Sequence, residues 1–278
     1  VFNVVPGEGS VVGERFVTHP DVRKVCFTGS TAVGKRIMAQ ASNDLTRVTL
    51  ELGGKNANII FDDCDIEAAA AAAPGAVFDN AGQDCCARSR ILVQRSVFDR
   101  FMKHLEPAVR AVRVADPAQA DDADMGPLIS SAQRDRVRGF VDEADIDIAF
   151  RGLAPDGAGW WYPPTVVLPR DAQDSVWRDE VFGPVVAVLP FDDEADAIAK
   201  ANDTAYGLAG SIWTDNLGRG LRVARGVRAG NLSVNSHSAV RYSTPFGGFK
   251  SSGLGRELGP DALAAFTETK NVFISTGL

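Results

Sequence analysis

Short β-branched runs alternate with stretches of helical period along the first fifty residues, the pattern of parallel βα units rather than hairpins. Residues 1–5 are read as a strand closed by Pro6-Gly7, residues 10–16 as a short helix, and residues 23–27 as a second strand. Thr28-Gly29-Ser30 makes a turn with a candidate N-cap, after which Val33, Ile37, Met38 and Ala41 recur at helical spacing. Residues 46–50 give a third strand, and together these segments look like the back half of a doubly wound sheet.

Beyond Gly53-Gly54 a buried strand over 57–61 leads through Asp62 to Asp65 into an alanine-rich helix, where Pro74-Gly75 predicts a kink or interruption. Strands are expected over 91–94, 185–189, 209–213 and 231–235, and helices over 97–114, 132–143, 192–202 and 217–227. Residues 116–124 read as a polar loop and 151–164 as a surface stretch rich in Gly, Pro and aromatics. Residues 245–259 are glycine-rich, and 267–275 form an extended run. The pattern shows no internal repeat.

Composition narrows the function classes. The chain has 278 residues, 45% hydrophobic, enough for a substantial core. Its net charge of −7 carries no basic block, which disfavours nucleic acid as a partner. No apolar run approaches the roughly 20 residues that cross a bilayer, so a membrane partner is not expected either. Four cysteines, two of them adjacent at Cys85-Cys86, do not form a disulfide framework, and a reducing, cytoplasmic location is expected. The first residue is Val1 rather than Met, and the native N-terminus is expected to lie upstream.

Several segments carry chemistry. Gly29 and Ser30 sit where a strand turns into a helix, a place for free N–H groups to hold a phosphate or simply an ordinary βα turn. Glu51 stands where the chain leaves a strand beside Gly53 and Gly54, as a site carboxylate or an exposed loop acid. Cys85 lies in a glycine turn after a helix loses its pattern; its thiol is reactive there, or a small buried hydrophobe. No metal site is expected, since vicinal cysteines do not readily share one tetrahedral ion and His19, His104 and His237 are scattered.

Read in order, FTGSTAVGK, LELGGKN, GQDC 34 residues past Glu51, EVFGPV and PFGGFKSSGLGRELG resemble the aldehyde dehydrogenase superfamily along the whole chain, most closely its aminoaldehyde and betaine-aldehyde members. The resemblance implies an α/β fold with these parts: residues 1–53 as the C-terminal half of a Rossmann-like NAD(P) domain, 54–252 as an α/β catalytic domain with a parallel sheet, 253–266 as a return segment, and 267–278 as an oligomerisation strand. It implies oxidation of an aldehyde to a carboxylic acid, with Cys85 as nucleophile and Glu51 as general base for hydrolysis of the thioester. Gly29 and Ser30 match the pyrophosphate region, Gly53 the nicotinamide vicinity, Glu180 the nicotinamide ribose, and Phe182 the packing beside it, with NAD favoured over NADP. Asn235 is matched as a supporting residue.

On the substrate side the match carries Asp84, Ser236 and His237. A carboxylate beside a thiol hinders thiolate formation, so Asp84 suggests a cationic, amine-derived aldehyde as the compensating partner, or else a solvated loop acid. Homodimers or homotetramers are implied. The family places its oxyanion asparagine and adenosine-ribose lysine upstream of FTGST, roughly two hundred residues of chain that this sequence lacks. The chain is therefore expected to be a C-terminal portion, and rival readings are a non-catalytic fragment or a cofactor-free thiol esterase.

Overall fold

The computed structural model describes residues 2–238 and 240–277 and arranges the chain around two sheets. The smaller sheet pairs β1 (Lys24–Thr28) parallel with β2 (Arg47–Glu51), and β10 (Gly253–Leu254) adds antiparallel to β2. α1 (Glu14–Thr18) and α2 (Thr31–Ala41) cover it. Ser30 caps α2 by accepting a hydrogen bond from the Val33 N–H at 3.4 Å. Of the apolar stripe on α2, Ile37 and Ala41 are buried with Gly34, whereas Val33 and Met38 are exposed.

The larger sheet has seven strands in the order β5-β6-β7-β4-β3-β8-β9. Its strands are β3 (Ala57–Ile60), β4 (Arg90–Gln94), β5 (Asp147–Arg151), β6 (Thr165–Leu168), β7 (Val185–Phe191), β8 (Ala209–Trp213) and β9 (Asn231–Val234). All neighbours are parallel except β5 on β6. The central strands are buried on both faces, as a parallel sheet sandwiched by helices requires, and that explains their uninterrupted apolar runs. The covering helices are α3 (Ile66–Phe78), α4 (Phe98–Arg110), α5 (Ser131–Val141), α6 (Ser175–Arg178), α7 (Glu194–Asn202) and α8 (Leu217–Gly226). Side chains of Asp65, Ser130, Asp193 and Asn216 cap α3, α5, α7 and α8 in the manner their residue types predict.

Several expectations are corrected. Residues 2–5 are exposed and unpaired, because within the described residues no strand lies alongside to take their hydrogen bonds, and Val1 lies outside the described residues. α3 runs through Pro74 without interruption. Proline inside a helix costs about 3 kcal/mol, but the same helix buries Ile66, Val77 and Phe78, worth roughly 1.5–3 kcal/mol each. The helix expected over 97–114 ends at Arg110, and Val114 instead bridges to Met125. Strands β5 and β6 were not expected. Tyr162, within the expected surface stretch, is 4% exposed and its hydroxyl donates to Asp142 at 3.3 Å.

Residues 267–277 are exposed and form no ladder among the described residues; Leu278 lies outside them. Among the described residues no helix is long and apolar enough to cross a membrane.

Candidate active site

The Cys85 turn follows α3. Asn80, Ala81 and Gly82 all take left-handed φ values, 50°, 55° and 68°, so the chain reverses tightly just before Cys85. Gly82 is obligatory there, because a Cβ would overlap the Gly183 carbonyl. That contact holds the Cys85 turn against the segment running through Glu180 and Phe182. Asn56, at the entrance to β3 and 2% exposed, fixes the other side. Its Nδ2 donates to the carbonyls of Cys85 at 2.7 Å and Ala87 at 2.9 Å, and its Oδ1 accepts from the Ala209 N–H at 2.9 Å. Among the described residues the Cys85 N–H has no acceptor.

Cys85 is half-buried and Cys86 buried. The Cys86 thiol as hydrogen-bond partner, burial, and the carboxylates of Asp84 and Glu180 all push the Cys85 thiol above its ordinary range. A neutral thiol is the resting form. The carboxylate of Asp84 and the sulfurs of Cys85 and Cys86 lie within 4.8 Å of one another, three groups where a closed tetrahedral site takes four.

Glu51 is the last residue of β2, where its backbone carbonyl accepts from the Gly29 N–H at 3.0 Å. Its side chain is 3% exposed, and neither carboxyl oxygen has a hydrogen-bond partner. Burial first, then the Glu257 carboxylate, raises its pKa to about 7, with the Arg256 guanidinium opposing. This is the protonation behaviour of a general base poised near neutrality. Glu51 and Cys85 come to one locale. Gly54 follows Glu51 by three residues, a span of at most roughly 11 Å, and packs so closely on the Cys85 carbonyl that a Cβ there would overlap it.

Gly53 and Glu180 meet as well. A Cβ on Gly53 would overlap the Glu180 carboxylate, whose Oε1 accepts from the Gly54 N–H at 3.0 Å. Burial raises the Glu180 pKa against that hydrogen bond and the charges of Lys55 and Arg136. α5 holds the segment from behind. Gln133 donates to the carbonyls of Val181 and Phe182 at 3.1 and 2.7 Å, and Arg136 to that of Glu180 at 2.8 Å. Phe182 has φ of 56° and is 38% exposed, displayed rather than packed into the core. Gly29 and Ser30 stand together, exposed, at the N-terminus of α2, with the Gly29 N–H on the Glu51 carbonyl and Ser30 capping Val33.

The substrate-side candidates divide. Asp84 is exposed but folded back, its Oδ1 accepting from the Cys86 N–H at 2.8 Å in a local turn. Ser236 is half-buried, with its carbonyl accepting from Ser233 Oγ at 2.5 Å. His237 is exposed and borders a cleft of about 530 Å³ against Pro74, Phe78, Asp79 and Asp124. Asn235 braces backbone: its amide exchanges two hydrogen bonds of 3.0 Å with Thr214. Asn56, Arg88, Arg256 and Glu257 were missed by sequence reasoning. The available signal was polar residues inside otherwise apolar or glycine-rich runs.

Known proteins agree in one direction. The model of the Aldehyde dehydrogenase family matches residues 1–272. An aldehyde dehydrogenase of Emericella nidulans is 41% identical over the whole chain, which covers 56% of that protein. Betaine aldehyde dehydrogenase 2 of Rhizobium meliloti is 41% identical over 99% of the chain and 57% of its own length. The crystal structure of an NAD-dependent aldehyde dehydrogenase from Sinorhizobium meliloti superimposes with a TM-score of 0.96 at 38% identity, over 100% of this chain and 56% of that one. The chain thus spans about half the length of the relatives it matches.

Proposed function

The chain belongs to the aldehyde dehydrogenase family, and we propose that it supplies the nucleophile and base of an NAD-dependent enzyme oxidising an aldehyde to a carboxylic acid. The observation that carries this reading is the Glu51 carboxyl, buried, unpartnered and titrating at about 7, three residues from the glycine that packs on Cys85.

The residues fit the cofactor. A side chain on Gly53 would fill the space beside Glu180, whose carboxylate suits two ribose hydroxyls, and the exposed end of α2 at Gly29 and Ser30 suits a pyrophosphate. Phe182, displayed on its strained turn, offers a face beside that ribose. When bound, nicotinamide supplies the acceptor for the hydrogen that leaves the aldehyde carbon as hydride.

Chemistry by the chain's own groups begins with loss of the Cys85 proton, which the raised thiol pKa opposes; Glu51 is the nearby base that speeds it, and solvent hydroxide takes the proton more slowly where Glu51 is replaced. Sulfur adds to the carbonyl carbon, and the resulting oxyanion faces the free Cys85 N–H. Loss of hydride leaves a thioester on Cys85. The proton on Glu51 passes to solvent; Glu51 then draws a proton from water, the hydroxide oxygen adds to the acyl carbon, and the C–S bond breaks to release the acid and the Cys85 thiolate.

The substrate is a cationic, amine-derived aldehyde, with Asp84 facing the ammonium and Ser236 and His237 lining its approach. Supporting this are the carboxylate beside the thiol and the betaine aldehyde dehydrogenase among the relatives. The test is kcat/KM for matched cationic and neutral aldehydes in the protein from its complete reading frame. The Asp84→Asn variant lowers the cationic-to-neutral ratio about tenfold; an unchanged ratio removes Asp84 from recognition. We further propose a homodimer or homotetramer, paired through residues 267–277, where Val272, Phe273 and Ile274 are exposed.

A further inference from the structure

Arg88, three residues past Cys85, is 1% exposed, and its four hydrogen bonds all end on neutral oxygens. Nε donates to Ser211 Oγ at 2.9 Å, Nη1 to the Cys86 carbonyl, and Nη2 to the carbonyls of Gly210 at 3.4 Å and His237 at 3.0 Å. One guanidinium therefore joins the nucleophile turn, strand β8 and the segment after β9. The network continues: Ser211 Oγ lies 3.2 Å from Ser233 Oγ, which donates to the Ser236 carbonyl at 2.5 Å. Two successive carbonyls of the 235–238 segment are thus fastened, His237 directly and Ser236 through two hydroxyls.

A sealed cation that hydrogen-bonds to no carboxylate, with the Asp84 charge reaching it only through space, is a costly way to fill space, and a side chain such as methionine would fill it at less cost. Its return lies in the carbonyls it collects. Asn235, His237 and Ser238 are exposed, so little apolar burial holds them in place. We propose that Arg88 is a positioning residue that clamps the 235–238 segment onto the nucleophile turn and thereby sets the affinity for the aldehyde, without touching the substrate itself. The proposal rests on the reading of Cys85 as nucleophile and of Ser236 and His237 as lining the approach to it. If loss of the clamp leaves the segment ordered for about a tenth of the time, the apparent affinity falls about tenfold while the chemistry in the ordered fraction is unchanged.

Two readouts on Arg88→Met, Arg88→Lys and Ser211→Ala, made in the protein from its complete reading frame, decide it. Hydrogen exchange of peptides spanning 235–238 tests the clamp with no substrate present, and steady-state kinetics test its consequence. Arg88→Met accelerates exchange in that segment about tenfold and raises the aldehyde KM by a similar factor, with kcat changed less than about threefold; Arg88→Lys recovers part of both. Unchanged exchange in folded Arg88→Met overturns the clamp. Accelerated exchange with unchanged KM, or a fall in kcat alone, overturns its role in affinity. Should Arg88→Met not fold, Ser211→Ala decides, with about threefold faster exchange expected and no change contradicting. If the parent protein oxidises no aldehyde, the proposed function fails, while the exchange result still judges the clamp.

Discussion

At the scale of single residues, burial raises the pKa of both Glu51 and Cys85. The thiol is held protonated by its neighbour Cys86, by burial and by nearby carboxylates, whereas the Glu51 carboxyl is raised by desolvation to lose its proton near neutrality. Because the Glu51 pKa rises from 4.5 to about 7 on folding, the unfolded chain ionises first as pH increases. Glu51 therefore costs stability progressively from pH 4.5 to 7, roughly 3 kcal/mol at the plateau. Glu51→Gln raises Tm above pH 7, and the gain shrinks as pH falls toward 4.5. The same variant abolishes the inflection near pH 7 in thioester hydrolysis by the parent enzyme. Thermal melts from pH 5 to 8 with paired pH–rate profiles check both, and a constant Tm difference contradicts the titration. The positions of Glu51, Cys85, Glu180 and Phe182 were legible as motifs. Asn56 and Arg88 were not, because their value lies in carbonyls contributed by distant segments, and no local pattern announces a carbonyl.

At the scale of elements, α5, α7 and α8 with their Ser, Asp and Asn caps, and β3, β4, β7, β8 and β9 with their apolar runs, were readable to within a residue or two, whereas β6 was not despite its buried Val166-Val167. Elements whose stability comes from tertiary burial were not. Proline misled at α3 because local propensity lost to core packing, and β5 was hidden because its first two residues are exposed and its apolar run is only Ile148-Ala149-Phe150. Turns carry the site. The larger sheet meets the nucleophile at the N-terminal ends of β3, β4 and β8, whereas β2 delivers Glu51 at its C-terminal end. The close approach of Gly82 to Gly183 is the joint between nucleophile and cofactor-side segments, and φ of 68° adds a second demand for glycine. Gly82→Ala should cost about 2 kcal/mol or more. Denaturant unfolding measures it, and a loss below about 0.5 kcal/mol would show the turn free to relax.

For the whole molecule, the two sheets divide the proposed site: β2 ends on Glu51, α2 begins beside Gly29 and Ser30, and the larger sheet holds the turn of Cys85. The fold class was legible from the alternation of strands and helices, but the proposed partner of residues 267–277 was not, since pairing with another chain leaves no pattern within this one. Deleting residues 267–278 should convert the oligomer to monomer in sedimentation velocity, and an unchanged sedimentation coefficient would locate the interface elsewhere. The most direct test of nucleophile and base together is a single turnover of Glu51→Gln with NAD and an aldehyde, digested and read by mass spectrometry. An acyl group retained on Cys85, with about one NADH formed per chain and no further turnover, is the predicted result. An unmodified Cys85, or an acyl group on Cys86 with turnover intact in Cys85→Ser, would contradict it.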